Sequence, residues 1–570
     1  MRKTLSIILS VMMILSVCSF AIPASAAPEG TAINTADEFL AMVSTPADAT
    51  EVSAKYYLNA DITLSGTYIE PFWGILDGNG HTVTVSAPMF ADFSGEVKNL
   101  KIKGEILFQD ANAAAFTVLS AKGFNATDCQ NDANVTITGN AKWAAGFVAD
   151  CENNAEPCVF TNCVNNGDIY VDSTADEKMR AGGFGGIIDG CIFNNCVNNG
   201  DIYMKGNICI AGGLVSRVAL HAAMYTAEAY NCTNNGNIKV EDTYIGKDGV
   251  SFGSGSADAG GIFGHVGTKN QAGWYRVHGC RNNGNIDAPY RVGGMIGYVY
   301  ASGTNAFADI QFCVNTGNLT YGRDVLREGT TYYDYVSPFV AYTNSAYTTI
   351  KYNVDTGSIT KREGALTANP GASFVGCSSA DSSMYDIQGN YLLNYDQYTY
   401  YAYASAEENQ VNVHEISETD GIIKTTLEDI KSGKVCYEIM NLAEDDDYGY
   451  AEGFAFYQKI GSDDYPTTDE THGWVVLSNG AYVNGERGAE ETEPVATEPQ
   501  ETEPAATEPE ATEPATTEAP SQGDATEAPQ QGGEQTTPPT TEKKGCGGFV
   551  AGSAIIVAIL GTALIIKKRD

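Results

Sequence analysis

The stretch Asn195-Cys196-Val197-Asn198-Asn199-Gly200-Asp201-Ile202 decides the fold, because close copies of it return along the 570-residue chain. Four copies keep the pattern Cys-x-Asn-x-Gly-x-Ile/Leu, and they begin at Cys163, Cys232, Cys280 and Cys313. Weaker copies occupy residues 129–135 and 353–359. From Cys129 onward, the cysteines of successive copies lie 34, 33, 36, 48 and 33 residues apart. Spacings in this range indicate a stacked array, in which each unit buries its apolar face only against its neighbours.

One repeat unit consists of short β-like runs between turn residues. In residues 167–199 the runs lie at 168–171, 183–188 and 191–196, with no helical periodicity between them. A Gly-Gly pair followed by an apolar residue recurs between the copies, at Gly182, Gly212, Gly260 and Gly293. Three strands per unit predict an all-β chain folded as a right-handed parallel β-helix over residues 56–380, with loops of unequal length. Ankyrin and tetratricopeptide repeats need two amphipathic helices per unit, which the Gly, Asn and Thr content disfavours.

The two ends of the chain carry export and anchoring signals. Residues 1–26 have the basic start, apolar core and Ala-Ser-Ala cleavage site of a secretory signal peptide. An apolar run at 549–566, followed by Lys567-Lys568-Arg569, predicts one transmembrane helix within an anchor segment at 545–570. We therefore expect an extracellular protein at the surface of a bacterial cell. Its C-terminal helix would anchor it in the plasma membrane.

A low-complexity segment at residues 486–544 precedes this anchor. It repeats Thr-Glu-Pro from Thr492 to Pro514 and contains no Lys or Arg between residues 488 and 542. Such a composition cannot bury a core and stays extended, which predicts a disordered acidic stalk. The formal net charge of −38 excludes a basic nucleic-acid-binding surface, so we expect no nucleic-acid partner.

Two further segments are predicted to be caps of the β-helix. Residues 27–55 contain Thr35 and Glu38 at capping-box spacing, which predicts a short helical N-terminal cap over the open strand edges. Residues 381–485 do not follow the sequence pattern of the repeats. They contain a helical pattern at 426–433 and β-like runs after it. They predict a small C-terminal α+β cap module.

The residues at the start of the β-helix carry a resemblance to a known class. Asp77-Gly78-Asn79-Gly80-His81-Thr82-Val83 is followed by Lys98-Asn99-Leu100-Lys101-Ile102, and then by the alternating cysteine and Gly-Gly copies. Over roughly residues 30–380 this order resembles bacterial cell-surface proteins of the pectin-lyase-like β-helix class with GLUG-type repeats. The resemblance implies the fold. It implies little about function, because such proteins include adhesins, structural spacers and extensions of proteases.

The repeat predicts two structural rows. The asparagines are expected to form a hydrogen-bonded ladder, with the following glycines supplying positive φ in the turns; they are Asn165, Asn198, Asn234, Asn282 and Asn315. Cysteines at one place in successive coils lie about 4.8 Å apart, too far for a disulfide. We expect a row of buried free thiols at Cys163, Cys196, Cys232, Cys280 and Cys313. Cys151 with Cys158 is the pair expected to form a disulfide.

No catalytic residue, metal site or cofactor is predicted. Asp168 and Asp201 form a candidate carboxylate pair, but asparagine fills the same place in other copies, which favours a role in the turn. The one His-Glu pair, at His414, lacks the second histidine of a zinc protease. The acidic clusters at 445–447 and 463–464 match no calcium-binding loop and are interpreted as a solvated surface.

The clearest functional signal lies where loops interrupt the repeat, at residues 217–230, 240–257 and 267–279. Aromatic residues there are candidate ligand contacts, namely Trp274, Tyr275, Tyr244 and Tyr225. Their alternative role is packing against the flank of the β-helix. The leading interpretation is a non-catalytic, adhesin-like or glycan-binding protein whose partners are glycans or host and cell-surface proteins. The alternatives are a polysaccharide lyase or glycoside hydrolase of β-helix fold, and a structural surface spacer.

Overall fold

The computed structural model describes most of residues 28–486. The described ranges are 28–121, 123–151, 157–219, 226–242, 257–267, 273–300, 306–322, 334–344, 347–365, 372–377, 385–404, 411–414, 421–446, 451 and 453–486. They all belong to the first of two compact units, residues 1–495 and 496–570. The predicted signal peptide, the stalk from residue 487 and the anchor lie outside the described residues. Within those ranges, no helix combines the length and apolar character that a membrane span requires.

Each coil of the chain adds strands to four parallel sheets, numbered here in the order in which the chain visits them. One coil places Cys158–Thr161 in sheet 1, Val164–Asn165 and Ile169–Ser173 in sheet 2, Met179–Gly182 in sheet 3 and Gly185–Asp189 in sheet 4. The next coil begins at Cys191, which pairs in parallel with Cys158. The chain is therefore an all-β protein built as a parallel β-helix.

The strand bounds follow these four sheets along the chain. Sheet 1 contains Thr31–Ile33, Lys55–Leu58, Phe72–Asp77, Phe90–Lys98, Phe124–Thr127, Cys158–Thr161, Cys191–Asn194, Thr226–Tyr230, Gly273–His278, Ala306–Gln311, Tyr347–Lys351 and Tyr385–Gln388. Sheet 2 contains Ile62–Leu64, Thr82–Val85, Lys101–Gln109, Gln130–Gly139, Val164–Asn165, Ile169–Ser173, Val197–Asn198, Ile202–Gly206, Thr233–Asn234, Ile238–Asp242, Arg281–Asn282, Ile286–Asp287, Val314–Asn315, Leu319–Tyr321, Val354–Asp355, Ile359–Lys361, Asn390–Leu392 and Ile422–Lys424.

The other two sheets are shorter. Sheet 3 contains Ala113–Ala114, Trp143–Ala145, Met179–Gly182, Cys209–Gly212, Asp258–Gly260, Arg291–Gly293 and Tyr335–Ser337. Sheet 4 contains Thr117–Leu119, Val148–Cys151, Gly185–Asp189, Val215–Ala219, Phe263–Val266, Ile296–Tyr300, Val340–Asn344, Ala372–Cys377 and Tyr398–Ala404, with Val411–His414 joined in antiparallel fashion. The first of these, Thr117–Leu119, also pairs with Phe90–Lys98. Sheet 3 is absent from the predicted three-strand unit, because its short Ala-Gly segments resemble the turns around them.

Like side chains stack on one another through the interior of the β-helix. Phe160 and Phe193, in register on sheet 1, lie with ring centroids 4.6 Å apart and planes within 2°. Phe147 and Phe184, at the bend between sheets 3 and 4, are parallel within 3° at 5.1 Å. These rings are essentially buried. Parallel pairing in register places equivalent residues above one another, which explains why apolar positions recur in each repeat.

The N-terminal segment forms a short strand, Thr31–Ile33, and helix α1, Ala36–Leu40. Thr35 caps the helix by accepting a hydrogen bond from the Glu38 amide, and the Glu38 carboxylate accepts one from the Asn34 amide. Phe39 is buried and packs against Phe90. The capping-box spacing thus corresponds to a capped helix whose buried ring covers the core.

The β-helix continues beyond the predicted boundary at residue 380. Tyr385–Gln388 pairs in parallel with Tyr347–Lys351, and Ile422–Lys424 pairs with Asn390–Leu392. The distinct C-terminal module therefore begins only after Lys424. It contains helix α2, Leu427–Lys431, helix α3, Lys434–Glu444, and a hairpin of Trp474–Ser478 and Ala481–Gly485. Among the described residues, single 3₁₀ turns occur at Tyr395–Gln397 and Glu470–His472.

This module packs against the side of the last coils. It was predicted instead to cap the C-terminal end of the β-helix. Phe312 and Tyr352, at the corner between sheets 1 and 2, share a buried cluster with Phe456 and with residues of α2 and α3. Phe312 meets Phe456 edge to face at 5.5 Å. The Tyr352 hydroxyl donates to Asp446 at 2.8 Å, and the Lys351 ammonium donates to the same carboxylate. Because the rings of Phe312 and Tyr352 point outward from the side of the β-helix, the module must lie at its side to cover them.

The corner residue that precedes each repeat cysteine, or the asparagine that takes its place at residues 353 and 390, has a left-handed backbone. We call this series the corner row; its described members with positive φ are Asp128, Asn162, Asn195, Asn231, Gly279, Phe312, Tyr352 and Gly389. Asparagine and glycine tolerate this conformation, whereas an aromatic residue pays about 1–2 kcal/mol for it. Burial of a large apolar ring contributes about 1.5–3 kcal/mol, so module packing offsets the strain at Phe312 and Tyr352.

Candidate functional site

The asparagines of the repeat form one continuous buried row. Each side-chain Nδ2 donates to the Oδ1 of the next asparagine, at distances of 2.8–2.9 Å from Asn165 to Asn315. Asn131 donates into the start of the row and Asp355 accepts at its end. The five predicted asparagines are no more than 1% exposed. Because their amides are buried and engaged, the row holds the coils together and does not present a ligand surface.

The Asp355 carboxyl group at the end of this row is fully buried. Burial raises its pKa to about 6, although hydrogen bonds from Asn315 and Tyr398 oppose the rise. The Tyr398 hydroxyl donates to Oδ2 at 2.7 Å. Asn315 donates to Oδ1. A carboxylate thus takes the place of an amide where the row stops.

The glycine two residues after each asparagine is needed for close approach, and not for the positive φ that we expected. Gly200 and Gly236 are absent from the residues with positive φ. A Cβ on Gly236 would overlap the carbonyl oxygen of Gly200, and a Cβ on Gly200 would overlap that of Gly167. The coils therefore stack backbone against backbone at this turn, which only glycine permits.

The cysteines of the repeat are buried thiols. Cys163, Cys196, Cys232, Cys280 and Cys313 are no more than 1% exposed, and none of the eleven cysteines whose side chains the structure describes is in a disulfide. The Cys196 amide donates to the Cys232 sulfur at 3.4 Å, and the Cys232 amide donates to Cys280 in the same way. In the coil after Cys313, Asn353 takes the place of the cysteine. Its Oδ1 accepts a hydrogen bond from the Cys313 amide at 2.8 Å. The thiol thus serves as a small side chain that satisfies a backbone N–H.

Burial also raises the pKa of the Cys191, Cys232 and Cys280 thiols, which keeps these groups protonated. The predicted pair Cys151 and Cys158 comes together on neighbouring strands, with sulfur atoms 2.6 Å apart, and both are thiols here. The disulfide between them remains a prediction.

Two of the four predicted ligand contacts lie in a strand and not in a loop. Trp274 and Tyr275 belong to Gly273–His278 of sheet 1, where side chains alternate between solvent and core. Trp274 is 43% exposed, whereas Tyr275 is fully buried. The prediction of Tyr275 as a ligand contact is therefore wrong, because strand alternation turns its ring into the core. Tyr225 and Tyr244 lie outside the described residues.

Trp274 begins a stack of aromatic rings on the outer face of sheet 1. Its ring lies 4.4 Å from that of Phe307, with planes within 14°, and Phe307 lies 5.4 Å from Tyr347. The Arg276 guanidinium lies 4.5 Å from the Trp274 ring centroid. We call these three rings the outer aromatic row. Mutual stacking occupies ring faces along this row, so its ring edges and the flanking arginine are what the row presents outward.

A cleft separates sheet 1 from the C-terminal module. It consists of two adjoining hollows of about 620 and 340 Å³, which share Asn195 and Asn231 in their walls. The larger hollow is lined by Asn194, Asn195, Tyr230, Asn231, Arg276, His278, Asp309, Ala451 and Phe454. The smaller one is lined mainly by corner-row residues and by the module segment 466–469. These volumes fall within the usual range for small-molecule sites.

Contacts between side chains fix the polar groups at the floor of the cleft. Arg276 Nη1 donates to Glu228 Oε1 at 2.8 Å, and the Tyr230 hydroxyl donates to Glu228 Oε2 at 2.9 Å. His278 Nε2 and Asp309 Oδ2 lie 3.0 Å apart. Burial, followed by the neighbouring Glu228, raises the pKa of Tyr230 to about 12, so this hydroxyl stays protonated. The floor therefore presents oriented donors and acceptors on rigid strands.

The module wall of the cleft is tied to this floor by three hydrogen bonds. Arg281 Nη2 donates to the Pro466 carbonyl at 2.8 Å, and the Thr468 hydroxyl donates to Asn231 Oδ1 at 2.9 Å. The Ala451 amide donates to the side chain of Gln311. The Phe454 ring stacks on Tyr230 and meets His278 edge to face. The cleft is thus a preformed site.

Sequence reasoning missed the charged residues Glu228, Arg276 and Asp309, which lie in register on three successive strands. A signal for them exists. Each stands four residues before a repeat cysteine, a position that faces outward on sheet 1 and holds Val159 and Ile192 in the preceding coils. The change from apolar to charged residues at this position marks the coils that form the cleft.

The predicted acidic surface is in fact partly paired. The side chain of Asp446 is 14% exposed and contacts Lys351, Asp464 pairs with Lys431, and Asp463 lies 2.7 Å from His472 Nδ1. No group of three or more His, Cys, Asp or Glu side chains suited to a metal ion is found in the described part of the chain. The former candidate carboxylates also have a local role, since the Asp201 amide donates to Asp168 Oδ1 at 2.8 Å.

Comparison with known proteins adds little to this description. No protein-family model matches the chain, and no curated protein matches it. Among solved structures, the chain is similar to one described as a "putative immunoglobulin A1 protease from Bacteroides ovatus". The similarity has 14% sequence identity and a TM-score of 0.31, and it covers 55% of this chain and 84% of the other. This level of similarity is too low to support an assignment of fold or activity.

Proposed function

We propose that this protein is a non-catalytic, adhesin-like glycan-binding protein whose ligand occupies the cleft beside the C-terminal module. The observation that carries the proposal is the register of Glu228, Arg276 and Asp309 across three strands, in which Arg276 and Asp309 line the cleft and Glu228 fixes Arg276. Paired charged groups on rigid strands suit a polyhydroxylated ligand, because each side chain offers hydrogen bonds in a fixed direction. Trp274, which contacts Arg276, extends this surface along sheet 1.

Display at the cell surface is part of the same proposal. The signal peptide, the acidic Thr-Glu-Pro stalk and the apolar C-terminal run with its basic end support export and retention in a bacterial plasma membrane. The repeat pattern, with its resemblance to GLUG-type surface proteins, supports the same location. The partners would be glycans or glycan-bearing host and cell-surface proteins.

A hydrolytic role is the second candidate, because the cleft carboxylate Asp309 stands on a strand in register with that of a second carboxylate, Glu228. The two stand two strands apart, which separates their backbones by about 9.6 Å, whereas inverting glycosidases hold their two carboxyl groups about 6.5–9.5 Å apart. However, Arg276 donates to Glu228, and His278 lies within hydrogen-bond distance of Asp309. Both carboxylates are therefore already engaged by neighbouring side chains, which favours binding over catalysis.

Binding to immobilised polysaccharides tests the proposal. The purified full-length chain would be passed over plant polysaccharides, mucin glycans and host matrix proteins, with retention measured against an Arg276→Gln variant. Retention on one class, weakened at least tenfold by Arg276→Gln but less than twofold by Lys205→Gln on sheet 2, is the expected result. Release of shortened sugars would establish the hydrolase instead. Absence of retention on every surface would leave a structural spacer.

A further inference from the structure

The smaller hollow of the cleft is lined by a half-buried cation, Arg281, which stands on the strand Arg281–Asn282 of sheet 2. Its guanidinium carries five N–H donors. Among the described residues, its one hydrogen bond runs from Nη2 to the Pro466 carbonyl, and no carboxylate lies within ion-pair distance. Burial lowers the pKa of Arg281, and the charges of Tyr465 and Asp463 oppose this change. The guanidinium stays charged, because arginine ionises far above neutral pH.

The stacking of the coils does not require a cation at this place. Valine or threonine holds it in the neighbouring copies, at Val164, Val197, Thr233, Val314 and Val354. A β-branched side chain suits a strand position that packs against its neighbours above and below. Contact with the C-terminal module accounts for one of the five donors of Arg281. Its other donors are therefore available to a group in the hollow.

Two carboxylates stand near Arg281, but other groups engage them. Asp469, which also lines the hollow, accepts hydrogen bonds at Oδ1 from both the amide and the hydroxyl of Thr471. Asp463 Oδ2 lies 2.7 Å from His472 Nδ1. Each carboxylate is thus fixed by residues of the module itself. Neither one neutralises Arg281 by direct contact.

The rest of the lining strengthens the attraction of an anion to this cation. Phe312 and Phe456, which are fully buried, form the apolar part of the lining. An ion pair beside apolar groups is stronger than one in water, because the local dielectric is lower. The hollow measures about 340 Å³ and shares Asn195 and Asn231 with the larger hollow. A glycan held in the larger hollow can therefore place its next sugar unit beside Arg281.

We propose that the smaller hollow binds the carboxylate of an acidic sugar unit, so that the ligand of the cleft is an acidic glycan. This inference rests on the proposed function, because it specifies which glycan the cleft takes. The two oxygens of a carboxylate match the guanidinium fork in bidentate geometry, and its single negative charge balances Arg281. A neutral sugar would instead cover the cation without pairing it, which costs free energy. Hexuronic and sialic acids both carry this group.

Calorimetric titration with acidic oligosaccharides and their methyl esters tests this inference. The probes are a hyaluronan tetrasaccharide, which contains hexuronic acid, and sialyllactose, each added to the purified full-length chain. Esterification removes the negative charge and keeps the sugar. We expect at least one acid to bind tenfold or more tightly than its ester.

The variant Arg281→Gln should weaken binding of that acid at least tenfold, and the acid and its ester should then differ less than twofold. The control Lys205→Gln removes a sheet 2 cation outside the cleft, leaves the same net charge as Arg281→Gln, and should change binding less than twofold. Hydrogen exchange in helices α2 and α3 shows whether the module stays docked. If Arg281→Gln releases it, Arg281→Lys replaces that variant, with at least a threefold loss expected for the acid and less than twofold for the ester.

The outcomes separate this inference from the proposed function. Preference for one acid identifies a hexuronic or a sialic acid site, and equal preference for both shows that the carboxylate alone is recognised. Binding of neither acid, equal binding of acids and esters, or an acid preference that persists in Arg281→Gln would overturn the inference. A neutral glycan retained in a manner that depends on Arg276 would then still support a glycan-binding cleft. Absence of retention on every glycan surface would refute both.

Discussion

Asn315 donates a hydrogen bond from Nδ2 to Oδ1 of Asp355 at 2.8 Å, so a row of buried amides ends on a buried carboxyl group. The pKa of Asp355 is about 6 in the folded chain, whereas a free aspartate has a pKa near 3.9. The folded state binds the proton more tightly than the unfolded state. The contribution of Asp355 to stability is therefore complete below about pH 4 and falls as the pH rises through about 6.

Asp355→Asn should stabilise the protein at pH 8 and have little effect at pH 4. The difference of about two pKa units corresponds to an upper limit of about 3 kcal/mol in the free energy of unfolding. Urea denaturation at the two pH values measures it. Asp168→Asn is the matched control, because this exposed aspartate lies in a repeat turn and should shift neither curve. Equal shifts for Asp355→Asn at both pH values would contradict the buried ionisation.

Gly236→Ala should prevent or severely weaken folding. A Cβ there would overlap the backbone carbonyl of Gly200 in the preceding coil, and a rigid backbone cannot move aside without separating the strands. We expect a loss of more than about 3 kcal/mol in unfolding free energy, in line with overpacking at backbone contacts. Gly66→Ala, with open space around its Cβ position, should change stability by less than about 1 kcal/mol. Similar melting temperatures for the two variants would refute the close-approach role.

Phe312→Asn should release the C-terminal module while leaving the β-helix folded. Asparagine suits the left-handed corner, but the change removes a fully buried ring that contacts Phe456. Loss of that packing costs about 3–5 kcal/mol. Hydrogen exchange should accelerate in helices α2 and α3 and stay slow in sheet 2. Asn162→Gly, at the same corner far from the module, serves as control and should leave both regions protected.

The repeat cysteines should react with an alkylating reagent only after unfolding. Their thiols are buried, and burial raises the pKa of Cys232 and Cys280, which suppresses the reactive thiolate. Mass spectrometry of peptides labelled before and after denaturation gives the comparison for each cysteine. The predicted disulfide would appear in the same spectra as a linked peptide containing Cys151 and Cys158. Finding the repeat cysteines blocked in the denatured chain would rule out the row of thiols.

Much of the fold could be predicted from the sequence, because neighbouring coils repeat the same contacts. Asn198 and Asn234 hold the same place in their copies, and parallel stacking then determines which amide meets which. The strands of sheet 3 escaped prediction, since Ala181-Gly182 has neither bulk nor alternation to distinguish it from a turn. Tyr275 was wrongly predicted to be exposed, because residues 267–279 were interpreted as a loop. In a strand, neighbouring side chains such as those of Trp274 and Tyr275 point to opposite faces of the sheet, but a loop has no such rule.

The cleft could not be predicted, because its two walls are distant in sequence. Residues between Asn194 and Val314 form the floor, whereas Ala451, Phe454 and residues 466–469 form the other wall. No local pattern pairs Arg281 with Pro466, which are 185 residues apart. The charged residues of sheet 3 were more accessible to prediction. Arg180, Asp258 and Arg291 each stand two residues before a Gly-Gly pair, so the copies themselves bring them into register.

The residue types in the corner row also determine where the C-terminal module docks. Asn231, Gly279, Phe312 and Tyr352 mark the coils that the module contacts, whereas Asn162 stands in an earlier coil outside the cleft lining. A coil duplicated around Asn162 would lengthen the protein without disturbing that docking. Such a chain can grow in length by duplicating coils, while the cleft and the module that forms its wall stay together in the C-terminal part of the β-helix.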